Sequence, residues 1–245
     1  MLRIQNLKKH FGGIKAVDNC SFEIKKNSIT ALIGPNGSGK STIFNLISGV
    51  LKADSGKVLF DGKNITNMPV DEISNIGISR IFQKSRLFNN MTIKENMLLA
   101  FDNEDEKFWK SFFGLNKLTK EKEEKIKEML KLVKMHEHEA KYARNLSFGQ
   151  KRLIEIVRAV INPHKLLMLD EPVAGVTPLL RKELSEVLLN LKKQGETIFI
   201  IEHDMNFVLN MADEVIVMDE GKVIAQGKPE QIKKNKQVLE AYFGN

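Results

Sequence analysis

Eight consecutive residues, Gly34-Pro35-Asn36-Gly37-Ser38-Gly39-Lys40-Ser41, limit what this chain can fold into more than any other stretch. They fit the pattern G-x-x-x-x-G-K-[ST], and their flanks are those the pattern requires. The apolar run Ser28–Ile33 precedes them and reads as a buried strand; Ser41-Thr42-Ile43-Phe44-Asn45-Leu46-Ile47 follows and reads as the first turns of a helix. Glycines let the backbone wrap tightly enough to aim several N–H groups at one anion. The helix start adds partial positive charge at the same point. Asn36, Gly37, Ser38, Gly39, Lys40, Ser41 and Thr42 are therefore the expected phosphate contacts. Within them, Lys40 is expected to reach the β- and γ-phosphates of a nucleoside triphosphate, and the Ser41 hydroxyl to ligate Mg²⁺.

The chain has 245 residues, enough for one large domain or two modest ones with a real core. At 42% hydrophobic residues the composition is that of a soluble globular protein. No stretch approaches the roughly 18 consecutive apolar residues of a membrane span. The N-terminal Met1-Leu2-Arg3-Ile4-Gln5-Asn6-Leu7 lacks the apolar core of a signal peptide. Cys20 is the single cysteine, which suits a reducing cytoplasm. The net charge of +7 is compatible with an anionic partner, yet many lysines sit in mixed-sign runs such as Lys120-Glu121-Lys122-Glu123-Glu124-Lys125. Such runs make solvated helix faces. No stripe of basic and aromatic residues suited to stacking bases is visible, so no nucleic-acid partner is expected.

Strand-like runs recur at Ser28–Ile33, Lys57–Phe60, Gly77–Phe82, Leu166–Asp170, Thr197–Glu202 and Glu214–Met218. Several are continuously apolar, as parallel strands covered on both faces are. Helical patterns lie between them, notably Pro178–Lys193 and Met205–Met211, so the class is α/β. From about Thr92 to Ala143 the chain reads helical and charged, with no strand signal, which points to a helical insert. Pro229–Lys234 and Gln237–Phe243 read as a short helical tail.

Leu166-Leu167-Met168-Leu169-Asp170-Glu171 is an apolar strand ending in two acids. Beside a phosphate loop, Asp170 suits Mg²⁺, and Glu171, one residue further, can hold an attacking water. Gln83 ends another strand; alone it reads as a loop residue, and beside a nucleotide it can touch both Mg²⁺ and water. His203 follows Phe199-Ile200-Ile201-Glu202, where a neutral imidazole can bond a γ-phosphate and orient Glu171. His136 and His138 flank Glu137, but a third metal ligand is not evident.

Leu146-Ser147-Phe148-Gly149-Gln150 stands between the phosphate loop and the acid pair, ahead of the amphipathic run Lys151–Ile161. With this motif the chain resembles the ATP-binding subunits of ABC transporters, whose signature is L-S-G-G-Q; the Gln83 loop, acid-ended strand and His203 fall in the family's order. The resemblance covers the whole chain. It implies an ABC ATPase fold, that is, a P-loop core with a mixed sheet, an antiparallel β subdomain and an inserted helical subdomain. The implied division is 1–91 and 160–228 for the nucleotide-binding core with its β subdomain, 92–159 for the helical part and 229–245 for the tail. Phe11 matches the aromatic that stacks on adenine, where Tyr is usual. The resemblance further implies a composite ATP site. One subunit supplies Lys40, Ser41, Gln83, Asp170, Glu171 and His203; the facing one supplies Ser147, Gly149 and Gln150. Two departures stand out. Phe148 replaces a Gly, and Ala174-Gly175-Val176-Thr177 stands where S-A-L-D is typical, leaving the Thr177 hydroxyl as the polar group there.

The segments Glu171–Pro178, Ile201–Met205, Gly227–Glu230 and Ala241–Gly244 look like those of importers of branched-chain and other hydrophobic amino acids. A lipopolysaccharide exporter group shares the A-G-V element, and soluble non-transport ABC ATPases are a further alternative. The resemblance implies ATP and Mg²⁺ as ligands, integral membrane permease subunits, a second ATP-binding subunit (identical or paralogous) and, indirectly, a periplasmic or extracellular substrate-binding protein. It also implies a cytoplasmic location on the inner membrane face. Lys84–Phe88 and Phe108–Phe113 are the expected docking groove for the permease, the aromatics of the second segment suiting packing within the helical subdomain equally well.

Overall fold

The computed structural model describes residues 1–81, 87–101 and 120–243. Gln83, most of Lys84–Phe88 and all of Phe108–Phe113 lie outside the described residues. The chain divides into two units, Met1–Gln83 with His164–Ala174 and Leu188–Asn245, and Lys84–Pro163 with Gly175–Val187.

The first unit holds two sheets. One has six strands in the order β10-β9-β3-β8-β7-β6. These are β3 (Ile29–Ile33), β6 (Ile78–Ile81), β7 (Leu166–Asp170), β8 (Ile198–Ile201), β9 (Glu214–Asp219) and β10 (Lys222–Gly227). The five from β9 to β6 are parallel, and β10 closes one edge antiparallel to β9. Every residue of β3 and β8 is buried, which explains their unbroken apolar character: both faces are covered. Ala31 pairs with Ile200 on one side and Val215 on the other, so β3 is central and its C-terminal end opens at Gly34. The second sheet is antiparallel, in the order β2-β1-β4-β5, built from β1 (Leu2–Phe11), β2 (Ile14–Ile24), β4 (Ser55–Phe60) and β5 (Lys63–Asn64). Its apolar residues, among them Leu2, Ile4, Leu7, Phe22 and Phe60, join the helix Lys40–Ile47 and the ring of Phe199 in one core. Phe44 and Phe199 stack at 4.8 Å between ring centroids. A smaller core, with Ala31, Ile33, Val215 and Val217 at its centre, takes in Ile232 and Val238 of the tail helices Pro229–Ile232 and Lys236–Phe243.

Among the described residues, the regular structure of the second unit is helical. Ile93–Leu98, Lys120–Leu132 and Phe148–Ile161 pack on one another through Ile93, Met97, Ile126, Met129, Leu130, Ile154 and Val157, all essentially inaccessible to solvent. Asn96, also fully buried, accepts from the Phe88 N–H at 2.8 Å and donates to the Phe88 and Thr92 carbonyls at 3.1 and 2.9 Å. It fixes the loop ahead of its helix, since a buried amide left unbonded would be costly. Among the described residues no helix is long and apolar enough to cross a membrane.

Candidate active site

The strand β3 delivers the chain into a loop whose glycines do different work from ordinary turn residues. Gly39 has φ +99°, and a Cβ there would overlap the Ala16 carbonyl oxygen, so the loop closes only on glycine. Gly39 is also the N-cap of the helix Lys40–Ile47, and no side chain caps that start. Lys40 is buried, its ammonium bonded to the Gly34 and Pro35 carbonyls at 2.8 Å each. Burial holds its pKa below the ordinary lysine range, and the nearby Glu171 carboxylate acts against that shift. Ile14, Asn36, Gly37, Lys40, Ser41, Thr42 and Glu171 line one open cleft of about 430 Å³. The phosphate loop and the second acid of the pair, far apart in sequence, thus face the same space.

Asp170 ends β7 opposite Ile201 of β8. Its carboxylate takes a 3.0 Å hydrogen bond from Arg80, which also donates to Asn45 Oδ1 and Ser48 Oγ at 2.8 Å each. The guanidinium lies 5.6 Å from the centroid of the Phe44 ring. Arg80 was not singled out by sequence reasoning. Its signal is a single charge inside the otherwise uncharged strand Ile78-Ser79-Arg80-Ile81. A charged side chain that is itself nearly inaccessible needs buried partners, and here they are Asp170 and the helix that Ser41 stands in.

Glu171 adopts φ +48°, an uncommon conformation for a residue with a side chain. Its N–H donates to the Ile201 carbonyl at 3.0 Å, and its carbonyl accepts from Ala174 N–H at 3.2 Å. His203 is mostly exposed, with Nδ1 3.9 Å from Glu171 Oε1. Phe11 closes β1 opposite Ile14; its ring is 45% exposed with the Lys9 ammonium 5.4 Å from the centroid, so it is not a packed core aromatic.

Ser147, Gly149 and Gln150 belong to the second unit. Ser147 is the N-cap of the helix Phe148–Ile161 and forms a reciprocal capping box with Gln150: the Gln150 N–H reaches Ser147 Oγ at 3.2 Å, and the Ser147 N–H reaches Gln150 Oε1 at 3.0 Å. A Cβ on Gly149 would overlap the Leu180 side chain, so this glycine allows close packing rather than an unusual φ. Phe148 is 52% exposed. Thr177 accepts the Arg181 N–H on its carbonyl at 2.9 Å. Gln83 lies outside the described residues.

Comparison with known proteins gives the family. Residues 17–174 match the ABC transporter family, and residues 222–245 match the family described as branched-chain amino acid ATP-binding cassette transporter. A probable branched-chain amino acid transport ATP-binding protein of Archaeoglobus fulgidus is 44% identical over 250 residues, covering 100% of this chain and 95% of that protein. A high-affinity branched-chain amino acid transport ATP-binding protein of Escherichia coli is 37% identical over 251 residues, covering 100% and 98%. A solved ATP-binding cassette of an ABC transporter in its ADP conformation superposes with a TM-score of 0.85 at 40% identity, covering 100% of this chain and 99% of that one. By its phosphate loop, its sheet and these full-length relatives, the chain belongs to the ABC transporter family as an ATP-hydrolysing, ATP-binding subunit.

Proposed function

We propose that this chain powers the import of branched-chain or other hydrophobic amino acids through partner membrane subunits, working from the inner face of the cell membrane. The tail match over residues 222–245 and the relatives' names favour this cargo over lipopolysaccharide. The observation that carries the mechanism is the shared cleft, in which Lys40, Ser41 and Thr42 face Glu171.

In this reading 1–91 and 160–228 hold the nucleotide, 92–159 carries the signature motif, and 229–245 forms a tail. The uncapped helix start and the loop N–H groups of Asn36, Gly37, Ser38 and Gly39 bind the phosphates, with Lys40 balancing their charge. The exposed ring of Phe11 offers a π-face to the adenine. Ser41, Asp170 and Gln83 offer only uncharged or anionic oxygen donors, a set that suits Mg²⁺. Arg80 ties Asp170 to Asn45 and Ser48 of the helix that contains Ser41, which brings two of those donors to one neighbourhood. When bound there, the ion neutralises phosphate charge. Glu171 orients and polarises the attacking water, and His203, with Nδ1 3.9 Å from Glu171 Oε1, steadies Glu171 and bonds the γ-phosphate. A second ATP-binding subunit completes the site with its Ser147, Gly149 and Gln150. A solved cassette 25% identical to this chain is dimeric in a post-hydrolysis state with ADP and phosphate, which supports a two-subunit arrangement.

With its membrane partners, the Glu171→Gln chain is expected to bind ATP with unchanged affinity. Hydrolysis and branched-chain amino-acid uptake are expected to fall about 10²- to 10⁴-fold, the range for loss of a positioned base. Hydrolysis at the wild-type rate would contradict the role of Glu171; wild-type uptake without this chain would contradict the cargo.

A further inference from the structure

Glu202 is a fully buried carboxylate at the heart of the nucleotide-binding unit, and the hydrolysis described above does not use it. It follows directly on β8, and its own N–H donates to the Leu32 carbonyl of β3, two residues before Gly34. Its side chain spans two loops. Oε1 accepts the Val173 N–H at 2.9 Å, and Oε2 accepts the His203 N–H at 3.2 Å. Oε2 also lies 3.9 Å from His203 Nδ1. Val173 is two residues beyond Glu171, whose left-handed backbone persists only if its surroundings hold it.

We infer that Glu202 is a positioning residue for hydrolysis, clamping the turn that carries Glu171 to the backbone of His203. The inference rests on the catalytic reading of Glu171 and His203 given above. Three observations favour a clamp over the alternatives. Glu202 has no exposed surface, so it cannot receive a proton from substrate or water itself. Packing alone would be served by an apolar residue, because a buried carboxylate is costly unless its oxygens are bonded. Both oxygens are bonded, and each to a different loop of the cleft: one to the segment after the acid pair, one to the residue that faces Glu171. Burial pushes the Glu202 carboxyl above the usual glutamate range, and the Val173 N–H, followed by the His203 N–H and the His203 ring, pulls it back. The two N–H donors favour the ionised form, in which both oxygens accept.

The clamp predicts a specific kinetic signature. Neither bonded backbone group belongs to the phosphate loop, so loosening them misaligns Glu171 and His203 while leaving nucleotide binding in place. A displacement of about 1 Å at such a site costs on the order of 10²-fold in rate.

The test is steady-state ATP hydrolysis by the full-length chain carrying Glu202→Ala or Glu202→Gln, with Glu171→Gln alongside and thermal denaturation as the folding control. Glu202→Gln is nearly isosteric and turns one acceptor into a donor that opposes a backbone N–H. It is expected to fold, to keep KM for ATP, and to lower kcat about tenfold; Glu202→Ala is expected to lower kcat about 100-fold at unchanged KM. Faster amide exchange at Val173 in both variants is the accompanying physical sign. Wild-type kcat in Glu202→Gln overturns the clamp, and so does a rise in KM that accounts for the whole loss of kcat/KM. An active Glu171→Gln chain would instead overturn the catalytic reading itself, so the two failures are told apart in one experiment.

Discussion

Two helices in this protein begin at positions expected to meet a γ-phosphate, each in a different one of the two ATP sites, and they begin in opposite ways. Lys40–Ile47 starts at Gly39 with a left-handed backbone and no capping side chain. Phe148–Ile161 starts at Ser147 with both halves of a capping box in place. The first turn of a helix leaves N–H groups without intrahelical partners, and something must bind them. In the phosphate-loop helix no side chain performs that task, which leaves it to the phosphate expected there. In the signature helix the protein performs it itself, so Ser147 Oγ and the Gln150 amide are engaged within their own chain. The loop is a preformed anion site. The signature is a stable helix start, and in the proposed function it exchanges an internal hydrogen bond for one to phosphate.

The glycines sharpen the contrast. Gly39→Ala is expected to have the largest effect, since it adds strain at φ +99° and an overlap with backbone, which cannot swing aside. Strain of this kind costs about 1–3 kcal/mol before the overlap is counted. Chemical denaturation and an ATP titration should show lower stability and lost binding together. Ser147→Ala comes next. Removing an N-cap costs about 0.5–2 kcal/mol, and the loss should be visible by thermal denaturation. Gly149→Ala should have the smallest effect. Its new Cβ meets a side chain rather than backbone, chiefly the Leu180 methyl and then its Cγ, which rotation can move, and replacing a helical glycine by alanine returns roughly 0.5–1 kcal/mol. A Gly149→Ala chain as unstable as Gly39→Ala would mean the two glycines serve the same purpose, and the comparison would fail.

Much of this was legible in the sequence, for identifiable reasons. Buried parallel strands announce themselves as unbroken apolar runs, so β3, β7, β8 and β9 were found within a residue or so of their ends, and the helices Pro178–Lys193 and Met205–Met211 match. The antiparallel sheet was harder. β1 carries Lys8, Lys9 and His10, and its pairing with β2 shifts register three times, so the alternation of period two is broken along its length. Left-handed Asn6 and Asn19 lie in these irregular stretches. β10, an edge strand with mostly half-exposed residues, gave no clear pattern either. At the site, the phosphate-loop motif and the second acid of the pair pointed to residues that line the cleft, Lys40, Ser41, Thr42 and Glu171, because these motifs are defined by ligand chemistry. They did not locate Arg80 or Glu202. Both are charges whose work is done on other protein groups inside the fold, and a charged letter in sequence cannot say whether water or a buried partner will face it. The structure supplies the partners: Asp170 with Asn45 and Ser48 for Arg80, and two backbone N–H groups for Glu202.

The central claim is that this chain carries half of one ATP site in its phosphate loop and half of the opposing one in its signature. The most direct measurement is a calorimetric titration of ATP into the Ser147→Ala chain, paired with its steady-state hydrolysis rate. The account predicts wild-type affinity, because Lys40 and its loop are untouched, with hydrolysis reduced on the order of 10²- to 10³-fold, as for loss of one donor to a transition-state anion. Loss of ATP affinity in step with hydrolysis would contradict it, by placing Ser147 in the same half-site as Lys40.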